Sequence, residues 1–367
     1  MSCRALLLTL LALIVTSSLA STAAGQSSDR ATENVFLITL DGLRWEELFA
    51  GADSTLLHDE RYVDDVDGLR ERFWRDTPAA RRAALMPFFW STIAQEGQLY
   101  GDRTRGCTVD ATNNMLFSYP GYNEILTGAA DDDRIDSNAK RPNPNVTVLE
   151  AVNRQDGFRD RVAAFGSWDV FPYIINEDRS GVPVNAGFET ATGDLTQKER
   201  FLNELQPQIP SPWGAVRLDA FTHHYAVEHL KQHRPRLLYV AYGETDDFGH
   251  DGEYGQYLRA ARRTDAFIEA LWTFAQSDPQ YRNTTTLLIT TDHGRGSGDA
   301  WTGHGTDVDG ARAIWMVALG PDTAPRGPVS TDCALYQNQV AATVTALLGL
   351  DVEFEPDAGP AVETILE

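Results

Sequence analysis

With 367 residues, 42% hydrophobic and 23% charged, the chain has the length for a large core and the composition of a globular protein, which excludes a disordered or membrane-filling polypeptide. Its formal net charge of -22 opposes non-specific attraction to duplex nucleic acid or to an anionic membrane surface. A phosphate-bearing ligand therefore requires positive charge placed locally.

In chain order, residues 1–24 read as a secretory signal peptide. Arg4 precedes an apolar run over 5–15, and small residues with cleavage points after Ala20, Ala24 or Gly25 follow it. That run is too short to cross a bilayer, for which about 20 residues are needed, and no later segment is long and apolar enough. The export signal makes the protein periplasmic or secreted. Residues 25–367 show no repeat and no dividing linker, so one catalytic-size domain is expected, with the charged, irregular stretch 50–86 as an insertion or cap. Cys3 leaves with the signal. Cys107 and Cys333 remain, free to pair in an oxidising compartment or to stay as buried thiols.

Four near-continuous β-rich runs have the look of strands covered on both faces: 35–40 (VFLITL), 237–242 (LLYVAY), 286–291 (TLLITT) and 314–319 (IWMVAL). Apolar residues at helical spacing predict helices over 218–233, 254–276 and 335–348, with a shorter one over 147–154. The alternation predicts an α/β fold, a largely parallel central sheet between two helix layers. A Walker-type phosphate loop and a dinucleotide fingerprint are both absent from the sequence.

Three of these strands end in an aspartate. VFLITLDG stops at Asp41, LLYVAYGETDDFGH runs into Asp246, and TLLITTDHG stops at Asp292. A parallel sheet brings all three to its carboxyl edge, where open α/β sheets place their ligands. Each alone reads equally as a turn or a helix cap. Histidine alters the balance: His250 stands four after Asp246, His293 adjoins Asp292, and His304 sits in TGHGT. Carboxylate oxygen with imidazole nitrogen suits divalent metals such as zinc, and six such groups divide into two sites more readily than one. His223, His224 and His229, in FTHHYAVEHL, lack acidic strand-end neighbours and read as a helix surface or a packed, hydrogen-bonded position.

Ser118 opens the helix-like SYPGYNEILTG, with Pro120 in its first turn. This suits an N-cap. It equally suits a nucleophile at a helix N-terminus, where free amides face an anion.

Taken in order, FLITLDG, SYPGYNEILTG, ETDDFGH, ITTDHG and GHG resemble the alkaline phosphatase superfamily, most closely its type I phosphodiesterase and nucleotide pyrophosphatase branch, over residues 34–350. The resemblance implies an alkaline phosphatase-like three-layer sandwich and a phosphoric ester hydrolase. It selects Asp246 over Asp247, and assigns one metal to Asp246, His250 and His304 and the other to Asp41, Asp292, His293 and the Ser118 oxygen. Ser118 becomes the nucleophile that forms a phosphoseryl intermediate, and Asn138 matches an asparagine that hydrogen-bonds the phosphoryl oxygen. Tyr122 stands where this block often has histidine. Zinc is the default metal for such donors, and manganese or iron fit the same ligands.

On that ligand set two dications and three aspartates leave about one positive charge before Ser118 ionises, which suits a monoanionic diester among small-molecule phosphate esters. A dianionic monoester wants a further cation. Arg44 and Arg295 follow the metal motifs closely enough to supply it, or serve as surface ion-pair partners. A sulfatase would need arginine four residues after the nucleophile, where Tyr122 stands. A secreted protein that keeps its metals for stability alone is the non-enzyme alternative. Natural substrate and oligomeric state leave no mark in the sequence.

Overall fold

β-Branched and aromatic residues make Asn34–Leu40 a strand buried at every position, and the sheet is built around it. The structure is a computed structural model that describes residues 30–330 and 333–367. The expected signal peptide and Cys3 lie outside the described residues. The strands are β1 (Asn34–Leu40), β2 (Gln98–Tyr100), β3 (Cys107–Asp110), β4 (Val162–Gly166), β5 (Val184–Ala186), β6 (Leu237–Tyr242), β7 (Thr285–Thr290), β8 (Ala313–Ile314), β9 (Met316–Leu319), β10 (Gly327–Pro328) and β11 (Cys333–Tyr336).

Eight of them form one sheet in the order β10-β2-β9-β7-β1-β6-β4-β5. The five strands from β7 to β5 pair in parallel, and β9 runs against both its neighbours. Alternate residues of β1 feed two separate cores, as a strand's period of two requires. Phe36, Ile38 and Leu40 pack with the helices Asp219–His233 and Tyr254–Ser277. Val35 and Leu37 pack with Ser118–Thr127, Val148–Asn153 and Val340–Leu347. The result is the expected α/β three-layer arrangement, with a mostly parallel central sheet between two helix layers.

Two expected elements are divided. The run 314–319 breaks at Trp315: Ala313–Ile314 belongs to a small second sheet, and only Met316–Leu319 enters the large one, antiparallel to β7. The buried Trp315 indole, donating to the Leu43 carbonyl at 2.8 Å, marks the change of sheet. The helix expected from 335 begins at Val340, because Cys333–Tyr336 pairs in parallel with β3. Tertiary pairing overrides the local helical pattern there. A disulfide joins Cys107 to Cys333 across that pairing, with Cα atoms 4.6 Å apart. The irregular stretch after Ala50 contains three short helices, Ser54–Leu57, Val66–Phe73 and Pro78–Leu85, whose apolar residues join the core on the Tyr254–Ser277 side.

Register decides where the acids emerge. Leu40 pairs with Tyr242 and Thr39 with Thr290. Beyond the strand ends Asp41 is therefore level with Asp292 and beside Gly243, which leads into the helix Glu244–His250.

Candidate active site

At the end of β1 the chain turns through Gly42, whose φ is +57° and where a Cβ would lie 2.6 Å from Asp246 Oδ1. Only glycine fits both conditions. Asp41, Asp292 and His293 are buried at this edge, and each uses its outer atom for a protein hydrogen bond. Tyr122 Oη donates to Asp41 Oδ2 at 2.8 Å, Gly42 N donates to Asp292 Oδ1 at 3.1 Å, and His293 Nδ1 donates to the Gly294 carbonyl at 3.0 Å. The inner atoms, Asp41 Oδ1, Asp292 Oδ2 and His293 Nε2, have no hydrogen-bond partner among the described residues. His293 Nε2 lies 3.3 Å from the first and 3.4 Å from the second. With the proton on Nδ1, all three inner atoms are acceptors facing one another. Burying acceptors without a donor is costly, and a divalent cation between them satisfies all three at once. The electrostatics agree: burial first, then the charge of Asp246, pushes the Asp41 carboxyl well above its usual range. Burial and then Asp41 do the same to Asp292.

A second cluster adjoins the first. The start of the helix Glu244–His250 is fixed by Asp219, whose carboxylate accepts from Ser167 Oγ at 2.6 Å, Gly243 N at 2.8 Å and Glu244 N at 3.3 Å. Glu244 Oε1 accepts from Asp219 N in return, at 3.0 Å. Spacing of four then sets Asp246 and His250 on one helix face, with His250 Nε2 3.1 Å from Asp246 Oδ2. His304 approaches from the loop after β7, its Nε2 2.9 Å from His250 Nε2 and 3.8 Å from Asp246 Oδ1. Its Nδ1 donates to the Leu116 carbonyl at 3.1 Å, which leaves the Nε2 lone pair facing inward. Burial, then His293, lowers the His304 ring to about 3, so it is neutral, as a metal ligand must be. Burial alone would raise Asp246, but Arg295, with His250 and His304, holds it well below the usual range. The two clusters touch, because the His293 and His304 rings stack at 3.8 Å. Asp247 stands outside these contacts, and burial with the charge of Asp246 raises it to about 8.

The helix Ser118–Thr127 brings the serine to this edge. Phe117 occupies the N-cap position and Ser118 is the first helical residue, so its hydroxyl caps nothing. Gly121 lets the helix lie directly on the β7 end: a Cβ there would come within 2.3 Å of the Asp292 carbonyl. An open cleft of ≈ 450 Å³ is lined by Phe117, Ser118, Asn138, Asp246, His250, His304 and Gly305. Asn138 Oδ1 accepts from Tyr119 N at 3.0 Å, which ties this loop residue to the first turn of the serine helix.

Neither arginine reaches the cleft. Arg44 is ion-paired as expected, but in the interior, to Glu47. Arg295 is also buried, and its guanidinium is engaged by Asp246 and by the carbonyls of Trp301 and Thr302. His223 is packed and hydrogen-bonded: Nδ1 is 3.0 Å from Tyr242 Oη and the ring stacks on Phe267. Sequence reasoning missed the residues that orient these side chains, namely Tyr122 on Asp41, Asp219 at the Glu244 helix, and Gln337, whose Nε2 donates to the Asp292 carbonyl at 2.6 Å. Only Tyr122 left a signal, one helical turn after Ser118 in the same motif.

The family described as Type I phosphodiesterase / nucleotide pyrophosphatase matches residues 58–307. No curated protein matches the sequence. Solved structures are similar in fold. A lipoteichoic acid synthase from Listeria monocytogenes is 12% identical with TM-score 0.59, over 95% of this chain and 79% of that one. A phosphonate monoester hydrolase from Silicibacter pomeroyi is 15% identical with TM-score 0.54, over 91% and 76%. A protein in the alkaline phosphatase superfamily from Vibrio parahaemolyticus is 12% identical with TM-score 0.53, over 90% and 70%.

Proposed function

The chain belongs to the type I phosphodiesterase and nucleotide pyrophosphatase family, a metal-dependent family of phosphoric ester hydrolases, and on that premise we propose that it is a phosphodiesterase working through a phosphoseryl intermediate on Ser118. Asp41, Asp292 and His293, with the Ser118 oxygen, hold one divalent cation, and Asp246, His250 and His304 hold the other. Zinc is the metal that best suits these donors, with manganese or iron as substitutes. The cations, when bound, lower the serine pKa and neutralise charge on the phosphate and leaving oxygens.

The protein's own groups do the rest. Ser118, at the first turn of its helix, attacks phosphorus in line with the departing alcohol. Asn138, held by the Tyr119 amide, offers its Nδ2 to a non-bridging oxygen. Tyr122 and Gln337 keep the inner ligands oriented. Water then attacks the phosphoserine from the side the alcohol has left, and serine is regenerated as the phosphomonoester or phosphate departs.

The observation that favours a diester is the composition of the cleft, whose lining among the described residues includes no lysine or arginine. Arg295, the cation nearest in sequence to the ligands, is committed to Asp246. Counting the two dications and Arg295 against the three aspartates and the ionised Ser118 leaves about one positive charge, which matches one negative diester better than a dianion. The sulfatase reading is disfavoured because Tyr122, where that class needs arginine, is committed to Asp41. The Cys107–Cys333 bond supports the proposed export to an oxidising compartment. The test is turnover of a nitrophenyl diester and the matching monoester. We expect faster diester hydrolysis, abolished by chelator and in Ser118→Ala. Faster monoester hydrolysis would reverse the preference, and metal binding without turnover of either would leave a binding protein.

A further inference from the structure

Glu124 lies on the helix that begins with Ser118, and its carboxylate is completely buried. What surrounds it is a set of hydrogen-bond donors from two consecutive loop residues. Thr112 gives its N–H at 2.8 Å and its Oγ1 at 2.9 Å, and Asn113 gives its N–H and its Nδ2, both at 2.8 Å. A carboxylate is the one side chain that accepts this many donors at a single point. The contact folds the chain just before the serine back onto the serine's own helix.

Asn113 passes the constraint on in two directions. Its Oδ1 accepts from Leu116 N at 2.8 Å, and Leu116 takes a left-handed conformation, φ +54°, which a branched residue rarely adopts. In that conformation the Leu116 carbonyl meets His304 Nδ1, and two residues later the chain delivers Ser118. On the other side Asn113 Nδ2 lies 3.5 Å from Gln337 Oε1, and Gln337 holds the carbonyls of Thr291 and Asp292. One buried carboxylate thus stands behind the serine loop, His304 of the second cluster and Asp292 of the first.

We propose that Glu124 is a positioning residue for the hydrolysis: through Asn113 it fixes the 112–117 loop so that Ser118 and His304 keep their places across the cleft. This rests on the reading of Ser118 as nucleophile. Glu124 touches no substrate. A constraint on geometry of this kind is read in turnover more than in binding, since a displacement of about 1 Å costs on the order of a hundredfold.

Glu124→Gln tests it, because the amide keeps the volume but turns an N–H toward the donors of residues 112 and 113. On the nitrophenyl diester we expect kcat to fall on the order of a hundredfold with KM changed less than about threefold. Hydrogen exchange should rise at the amides of 112–118 while β1, β6 and β7 stay protected and metal content per chain is unchanged. Thr112→Val, which removes one hydroxyl from the rim of the cluster, should lower kcat by about two- to tenfold with the same unchanged KM. The proposal is overturned if kcat holds in either folded variant, or if exchange rises throughout the large sheet, which would make Glu124 a fold residue only. Ser118→Ala separates the two claims. If it retains turnover, the nucleophile reading has failed. If it is inactive while Glu124→Gln is fully active, the positioning role alone has failed.

Discussion

Two groups of three histidines, one at the carboxyl edge of the large sheet and one on the helix Asp219–His233, differ in what their ring nitrogens face. His250, His293 and His304 turn Nε2 toward carboxylates or toward one another. His223, His224 and His229 ride on the helix Asp219–His233, where His223 meets a phenol and an aromatic ring and His229 packs on Phe165. Both groups contain buried, neutral rings. The first group leaves buried acceptors converging without a donor, whereas the second is satisfied by packing and a phenol. Burial of a histidine therefore says little by itself. The partners left over after the protein's own hydrogen bonds are counted separate a cation site from a core position.

The strongest challenge to this contrast is metal removal. Chelation should abolish turnover and restoring zinc should recover it, while a ligand held at a hundred times its Kd adds about 2.7 kcal/mol of stability. A chelated protein with unchanged melting temperature would place the cation elsewhere. Next is His293→Ala. Because His293 belongs to the buried cluster and stacks on a ring of the other, we expect turnover to fall on the order of a thousandfold or more, as loss of several kcal/mol implies. Retained activity would show that the orphaned acceptors are not ligands. Tyr122→Phe removes only the hydrogen bond on Asp41 Oδ2 and should weaken metal affinity about 10- to 100-fold, read by competition with a chelator. Affinity equal to that of the unaltered protein would remove the phenol from the account.

The smallest effect on turnover belongs to the other group. His223→Phe should leave neutral-pH turnover within about twofold, since its ring only packs and bonds Tyr242. Its signature is in stability. Burial, then His224, holds His223 down at about 3, against an ordinary value of 6.5. The neutral ring thus favours the fold fully above pH 6.5, and that contribution is lost as pH falls from 6.5 toward 3. The melting temperature of His223→Phe should therefore decline less steeply over this window than that of the unaltered protein. Parallel declines would mean that the ring is solvated.

Much of the candidate site was legible because the residues that gather there sit where local patterns end. Asp41, Asp246 and Asp292 close buried apolar runs, and Asp246 with His250 has helix spacing, so the carboxyl edge could be assembled from sequence alone. The orienting residues were not legible, since their contacts join distant parts of the chain. Tyr122 reaches Asp41 across 81 positions and Gln337 reaches Asp292 across 45. Nothing local distinguishes such a glutamine from any other core residue, and the tyrosine is marked only by its place in the Ser118 motif. The reversed β9 and the strand Cys333–Tyr336 were hidden for the same reason: a turn at Trp315 and pairing with β3 are decided by tertiary packing. Glu124 reads as an ordinary helix glutamate until the 112–113 amides are seen around it.

Rapid acid quenching of the zinc-loaded protein during turnover of a nitrophenyl diester, followed by peptide mass spectrometry, tests most directly whether Ser118 carries the reaction. A transient adduct with the mass of the transferred phosphoryl part, confined to the peptide bearing Ser118 and missing from Ser118→Ala, is the result expected. Full turnover by Ser118→Ala, or an adduct on any other residue, would contradict it.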